Sequence, residues 1–260
     1  MRTSRWGVGL LTALGMVGAS ILGPAAAEVA TAAMPPAAVH AAAPGPGGPA
    51  GGRLPSEPAP PSCLGLVPPP YAYSSYGPFL CGDWRLGPTR LPESGILGSI
   101  LSGYRRLGGL TPVEFLSRWW DPTKDVGRGD WRYPPDNGFE HATDGRVIAA
   151  PLTLHPGQMV DRFGDEFGSF LAPAGAKYAG RALPPSNLDT VDPRYPFNYH
   201  LYRVAKDTTV CAGPQAPAFE QPGQGVQYVT SVRSVPYCPT VQTGANVNSL
   251  VVSGNLVRAN

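Results

Sequence analysis

Charge is scarce in this chain, and lysine especially so. Only 15% of its 260 residues are charged, and among 20 basic residues only Lys124, Lys177 and Lys206 are lysines. With 18 acidic residues the formal charge is +2. No clustered basic surface of the kind nucleic acids require can be read from it, so no nucleic-acid partner is expected. The sequence also lacks G-x-S-x-G, H-E-x-x-H, a P-loop and a G-x-G-x-x-G following a strand, which removes the common hydrolase, zinc-protease and nucleotide-fold signatures. Its four histidines, His40, His141, His155 and His200, are scattered, giving a histidine-based nucleophilic triad little support. No C-x-x-C occurs, and the cysteine spacings match no common zinc finger. Past the N-terminus no apolar run is long enough to span a bilayer.

Glycine and proline are abundant, at 33 and 32 residues. Together they make up a quarter of the chain against about 12% in average proteins, which argues against long bundles and coiled coils. The N-terminus carries Arg2 and Arg5, an apolar stretch from Trp6 to Leu22, then Pro24 and Ala25–Ala27. This is the order of a secretory signal peptide, with cleavage expected after Ala27 and no membrane attachment thereafter. Residues 28–62 are almost entirely Ala, Pro and Gly. Such a segment cannot bury enough apolar surface to offset its ordering entropy, so it reads as a disordered linker. Residues 63–145 are expected to form a helical N-terminal part of the domain, and 146–260 its main core.

Four cysteines follow, Cys63, Cys81, Cys211 and Cys238. An even count in an exported chain favours disulfides, for which three pairings are open. Cys63–Cys81 with Cys211–Cys238 is preferred, because each bond closes a short loop.

Ile96, Leu97, Ile100, Leu101 and Tyr104 fall on helical spacing, predicting a helix ended by Gly108-Gly109. Thr111-Pro112-Val113-Glu114 reads as a capping box with proline at the first helical position. Beyond Trp120 the pattern becomes short apolar or alternating runs. Expected strands are Arg146–Ala149, Met159–Phe163, Tyr199–Val204, Thr209–Ala212, Gly225–Val229 and Leu250–Val257. The fold class is therefore α+β, a mixed or antiparallel sheet preceded by a small helical part.

One stretch, Leu154–Gly164 continuing to Pro185, sets Arg162 and Arg181 among aromatic residues and glycines. Arginine offers a planar fork of donors to phosphate, and an aromatic face can stack on a heterocycle, so the combination suits a dinucleotide. The bland alternative pairs Arg162 with Asp161 or Asp165 at the surface and puts Phe170 in the core.

The run PGQMVDRFGDEFGSFLAPAGAKYAGRALPP (residues 156–185), followed by NYHLYRV and APAFEQPGQGVQY, resembles the tuberculosis necrotizing toxin domain, a family of NAD glycohydrolases. The earlier segments CGDWRLGPTRLP, LGGLTPVEFLSRWWD and WRYPPDNGF resemble the region preceding that core in fungal surface NADases. The resemblance implies a secreted enzyme, with a toxin among its expected roles, that hydrolyses NAD or NADP without a cofactor. It implies Arg162 and Arg181 on the phosphates, Phe170 against the nicotinamide end and Gln227 beside the nicotinamide riboside. His200 is implied in support, a substrate-binding rather than chemical residue. Gln221 and Gln224 are the nearby glutamines that could be confused with Gln227, and Glu220 is a reserve acid. Asp161, Asp165 and Glu166 are expected to be solvated loop charges. The fungal enzymes carry calcium toward their C-terminus, but this chain has no Asp or Glu after Glu220, so no metal site is expected. An immunity protein and a homodimer are the macromolecular partners left open. A catalytically inactive nucleotide-binding or cell-surface protein and an ADP-ribosyltransferase are the alternative functions.

Overall fold

A computed structural model describes residues 62–69, 75–231, 237–241 and 244–260. The expected signal peptide, nearly all of the expected linker and His40 lie outside the described residues.

Two short helices come first, α1 (Gly95–Leu101) and α2 (Pro112–Trp119). The capping box forms as the residue types require: Thr111 Oγ1 accepts from the Glu114 amide, and the Glu114 carboxylate accepts from the Thr111 amide. Helix α1 is shorter than its apolar spacing predicts. It stops at Leu101, and Gly103 turns the chain with φ +83°. Tyr104 and Leu107 then serve two different cores, one around Phe163 and one around Phe115 and Trp120. After α2, a two-stranded ribbon pairs β1 (Trp120–Asp121) with β2 (Asp130–Trp131). Trp120 packs edge to face with both Trp84 and Trp131 there.

The rest is organised by seven strands: β3 (Ala150–Leu154), β4 (Met159–Phe163), β5 (Phe170–Pro173), β6 (Tyr199–Val204), β7 (Thr208–Pro214), β8 (Val226–Val229) and β9 (Leu256–Arg258). Their order is β3-β7-β8-β5-β4-β6-β9, with every pair antiparallel. The fold is thus α+β with an antiparallel sheet. Strands β4 and β6 have the expected bounds. The strand expected at Arg146–Ala149 begins later, at Ala150, and β5 was not foreseen. Leu250–Val257, expected as one strand, divides into helix α4 (Val247–Val252) and β9. Asn246 caps that helix through the Ser249 amide, and this local bond outweighs the β-branched composition.

Both disulfides have the expected pairing, Cys63–Cys81 and Cys211–Cys238, which fits folding in an oxidising compartment. No described helix is long and apolar enough to cross a membrane.

Strand β5 changes partner along its short length. Phe170 and Leu171 pair with Val229 and Tyr228 of β8, whereas Ala172 and Pro173 pair with Asp161 and Val160 of β4. Past Asp161 the strands β4 and β5 no longer pair. A cavity occupies the opening.

Candidate active site

The cavity has a volume of about 480 Å³ and takes walls from β4, β5, β8 and the turn before β3. Arg162, Phe170, Arg181 and Gln227 all line it. They come from four elements, since Arg181 ends the one-turn helix α3 (Tyr178–Arg181).

Arg162 is 9% exposed and forms no ion pair among the described residues. Its Nε donates to the Asp165 carbonyl at 2.5 Å and its Nη1 to the Phe170 carbonyl at 2.8 Å. The guanidinium therefore bridges the gap where β4 and β5 part. Gly168 packs so closely on Nη2 that a Cβ there would collide with it. Burial pushes the Arg162 pKa down, with the nearby Asp165 acting in the opposite direction. A buried cation without a carboxylate is costly, and it is a ready site for an anionic ligand.

Arg181 has a different setting. Its Nη1 lies 2.7 Å from Asp161 Oδ1, and its Nε and Nη2 donate to the Ala176 carbonyl. The guanidinium sits over the Phe163 ring at 5.2 Å. Asp161 is 0% exposed and also accepts from the Gly175 amide and the Tyr199 hydroxyl. The expectation that Asp161 is a solvated charge is overturned: on a strand buried on both faces it must be paired, and Arg181 is its partner. Glu166 is corrected in the same way. It is largely buried and accepts from Arg258 and the Tyr202 hydroxyl. Burial raises its pKa, but these hydrogen bonds outweigh that and hold it below the usual range.

Phe170 is 39% exposed, so the bland alternative of a core phenylalanine fails along with the surface pairing of Arg162. Gln227 is buried on β8 and its Nε2 donates to the Asn137 carbonyl at 2.7 Å. A carbonyl oxygen only accepts, so the amide nitrogen is the end that faces it, and Oε1 is the other. Gln221 and Gln224 do not line the cavity. Gln221 donates to the Arg105 carbonyl, and Gln224 to Glu140. Glu220 is likewise held elsewhere, accepting from Arg118 and Trp119.

His200 does not line the cavity. It sits opposite Arg162 in the β4–β6 register, buried against Tyr195, with Nδ1 4.0 Å from Glu166. Desolvation lowers its pKa to about 4, against the pull of Glu166. It is therefore neutral near pH 7 and cannot add a second cation behind Arg162. Because its folded pKa lies below the unfolded value of about 6.5, the unfolded chain binds more protons between those values and stability falls as the pH drops. Acid melts of the His200→Gln variant are expected to lose less stability between pH 6.5 and 4 than the parent loses. Parallel curves would contradict this.

Tyr133, Asn137, Asn187 and Gln215 also line the cavity and were not singled out from the sequence. Tyr133 and Asn137 fall within the quoted segment WRYPPDNGF, the signal that could have found them. Tyr133, Arg162 and Asn187 are shared with a larger neighbouring cavity of about 1270 Å³, walled by Trp84, Trp120, Trp131 and Val191 among others. The two cavities meet at Arg162. The loop joining β4 to β5, beside that arginine, is tied to the C-terminal segment: the Val247 amide donates to Gly168, the Asn248 amide to the Glu166 carbonyl, and Arg258 to the Glu166 carboxylate.

Residues 153–259 match the family described as Tuberculosis necrotizing toxin. Over 152 residues the chain is 51% identical to the conidial surface nicotinamide adenine dinucleotide glycohydrolase of Aspergillus fumigatus, a match covering 58% of this chain and 64% of that protein. The chain thus spans less than two thirds of that relative's length. Among solved structures, tuberculosis necrotizing toxin complexed with its immunity factor superposes with a TM-score of 0.46 at 19% identity, covering 65% of this chain and 84% of that one.

Proposed function

From the match of residues 153–259 to the tuberculosis necrotizing toxin family we propose that the protein is a member of it, an exported NAD glycohydrolase that cleaves the bond between nicotinamide and ribose. What supports the reading is a single observation: four side chains distant in sequence, suited to phosphate, a planar ring and a ribose, line one cavity. The activity named for the Aspergillus fumigatus relative agrees with it.

The chemistry needs little from the protein beyond position and charge. Nicotinamide in NAD is a cationic pyridinium, so when the C1′–N1 bond breaks the ring keeps the electron pair and leaves neutral. No acid is required for its departure. Water supplies the oxygen that bonds to C1′, and its proton passes to solvent. The group to be stabilised is an oxocarbenium-like ribosyl centre. In this reading Arg162 takes the pyrophosphate with the guanidinium edge the protein leaves unpaired. Arg181, its charge shared with Asp161, adds a second positive wall. Phe170 covers the nicotinamide end, and Gln227 Oε1 accepts from the attacking water or a ribose hydroxyl. This is catalysis by orientation and electrostatics.

Purified protein incubated with NAD is expected to release nicotinamide and ADP-ribose in equal amounts. No release ends the proposal, and labelled ADP-ribose on protein would replace it with a transferase. The neighbouring cavity then takes the adenosine half. A tryptophan at Val191 would project further into it, so Val191→Trp is expected to lower kcat/KM for NAD by about tenfold or more, ~1.4 kcal/mol. The same variant should leave nicotinamide mononucleotide, which has no adenosine, as it was. Unchanged NAD hydrolysis would place the adenosine elsewhere.

A further inference from the structure

Gln227 is held by an unusual support. Its amide donates to the carbonyl of Asn137, in a turn where Asp136, Asn137 and Gly138 have φ of +52°, +56° and +77°. Left-handed backbone is uphill for residues with a Cβ, and two such residues in succession persist only where their surroundings hold them. Two side chains do so. The Asp136 carboxylate lies 2.8 Å from His141 Nε2 on one side. On the other, the Tyr237 hydroxyl accepts from Asn137 Nδ2 at 3.1 Å and donates to the Asp136 carbonyl at 3.3 Å. Tyr237 also packs its ring edge to face with Phe139, just past the turn.

Tyr237 immediately precedes Cys238, which is bonded to Cys211 of β7. Both sulfurs are buried in a cluster with Phe139, Val229 and Val241. Strand β7 carries Gly213, the register partner of Gln227 itself. The disulfide thus anchors the tyrosine to the strand beside the one that carries the glutamine. We propose that Tyr237 is a positioning residue for Gln227, acting through the Asn137 carbonyl, with the Cys211–Cys238 bond keeping it in place. The inference rests on the role proposed above for Gln227.

Its mechanism predicts a particular kinetic signature. Arg162, which holds the other end of the substrate, is not in this chain of contacts. Misorienting the Gln227 amide therefore slows the reaction of bound substrate without weakening its binding. Steady-state NAD hydrolysis by the full chain is to be measured for Gln227→Ala, Tyr237→Phe, Asn137→Gly and the Gln227→Ala/Tyr237→Phe double variant. Tyr237→Phe and Asn137→Gly are expected to lower kcat about three- to tenfold with KM held within about twofold, the size of effect of one or two lost hydrogen bonds. The double variant is expected to be no slower than Gln227→Ala, because a tyrosine that acts only through the glutamine has nothing left to position. Parental kcat in Tyr237→Phe, or losses that simply multiply in the double variant, would overturn the inference. Parental kcat in Gln227→Ala would instead overturn the reading of the site.

Discussion

Replacing Arg162 by alanine is expected to lower kcat/KM for NAD about 10²- to 10³-fold, the equivalent of ~3–4 kcal/mol. The arginine is the one cation among the described residues that meets both cavities, and it forms no ion pair there. Its positive charge has been taken out of water and is left for a ligand to balance. A pyrophosphate changes little in charge between ground state and transition state, so most of the loss should appear in KM. That separates this variant from those at Gln227. Gly168→Ala reaches a similar end without touching the arginine, since the added methyl collides with Nη2 and displaces the guanidinium. Initial-rate kinetics on purified variants decide the matter. If Arg162→Ala binds and turns over NAD like the parent, the phosphate is held elsewhere.

The second large effect concerns stability. Asp161→Ala removes a fully buried carboxylate that serves the Arg181 guanidinium, the Gly175 amide and the Tyr199 hydroxyl together. An orphaned buried charge costs about 3–5 kcal/mol. At roughly 2–4 °C per kcal/mol for a domain of this size, the melting temperature should fall by roughly 10 °C or more. The pairing explains why this aspartate and arginine, 20 positions apart, belong together: β4 brings one and α3 the other to within 2.7 Å. Asp161→Asn keeps the volume and an acceptor, so its loss should be smaller. Apolar replacement of both partners should recover part of the deficit, since a buried pair often stabilises no better than a hydrophobic one. A melt of Asp161→Ala within a degree or two of the parent would show that solvent reaches Arg181.

How much of this was legible beforehand depended on how local the cause was. Strands β4 and β6 could be bounded because turn-forming residues mark their limits, Gly157 and Gly164 about the one and Pro196 before the other. The capping box at Thr111 could be read because it is a bond between residues three apart. Helix α1 was overrun because Tyr104 and Leu107 continue its apolar spacing while packing into two separate cores, a tertiary fact no window contains. Strand β5 escaped because four residues ending in proline carry too little pattern. At the site, Arg162, Phe170, Arg181 and Gln227 were named through resemblance to a family, in order along the chain. Their convergence depends on β5 exchanging one partner for another, which no pairwise spacing records. The burial of Asp161 was missed for the same reason, since a carboxylate looks solvated until its counter-charge arrives from another element.

The tie between the β4–β5 loop and residues 247–258 has a bearing on the order in which the cavity can be assembled. A ribosome finishes Arg162, Phe170, Arg181 and Gln227 well before it reaches Val247. Until α4 and Arg258 emerge, a nascent or prematurely terminated product carries all four cavity-lining side chains without the hydrogen bonds that anchor the loop beside Arg162. Synthesis therefore delivers the residues that line the cavity before the segment that anchors the loop beside them.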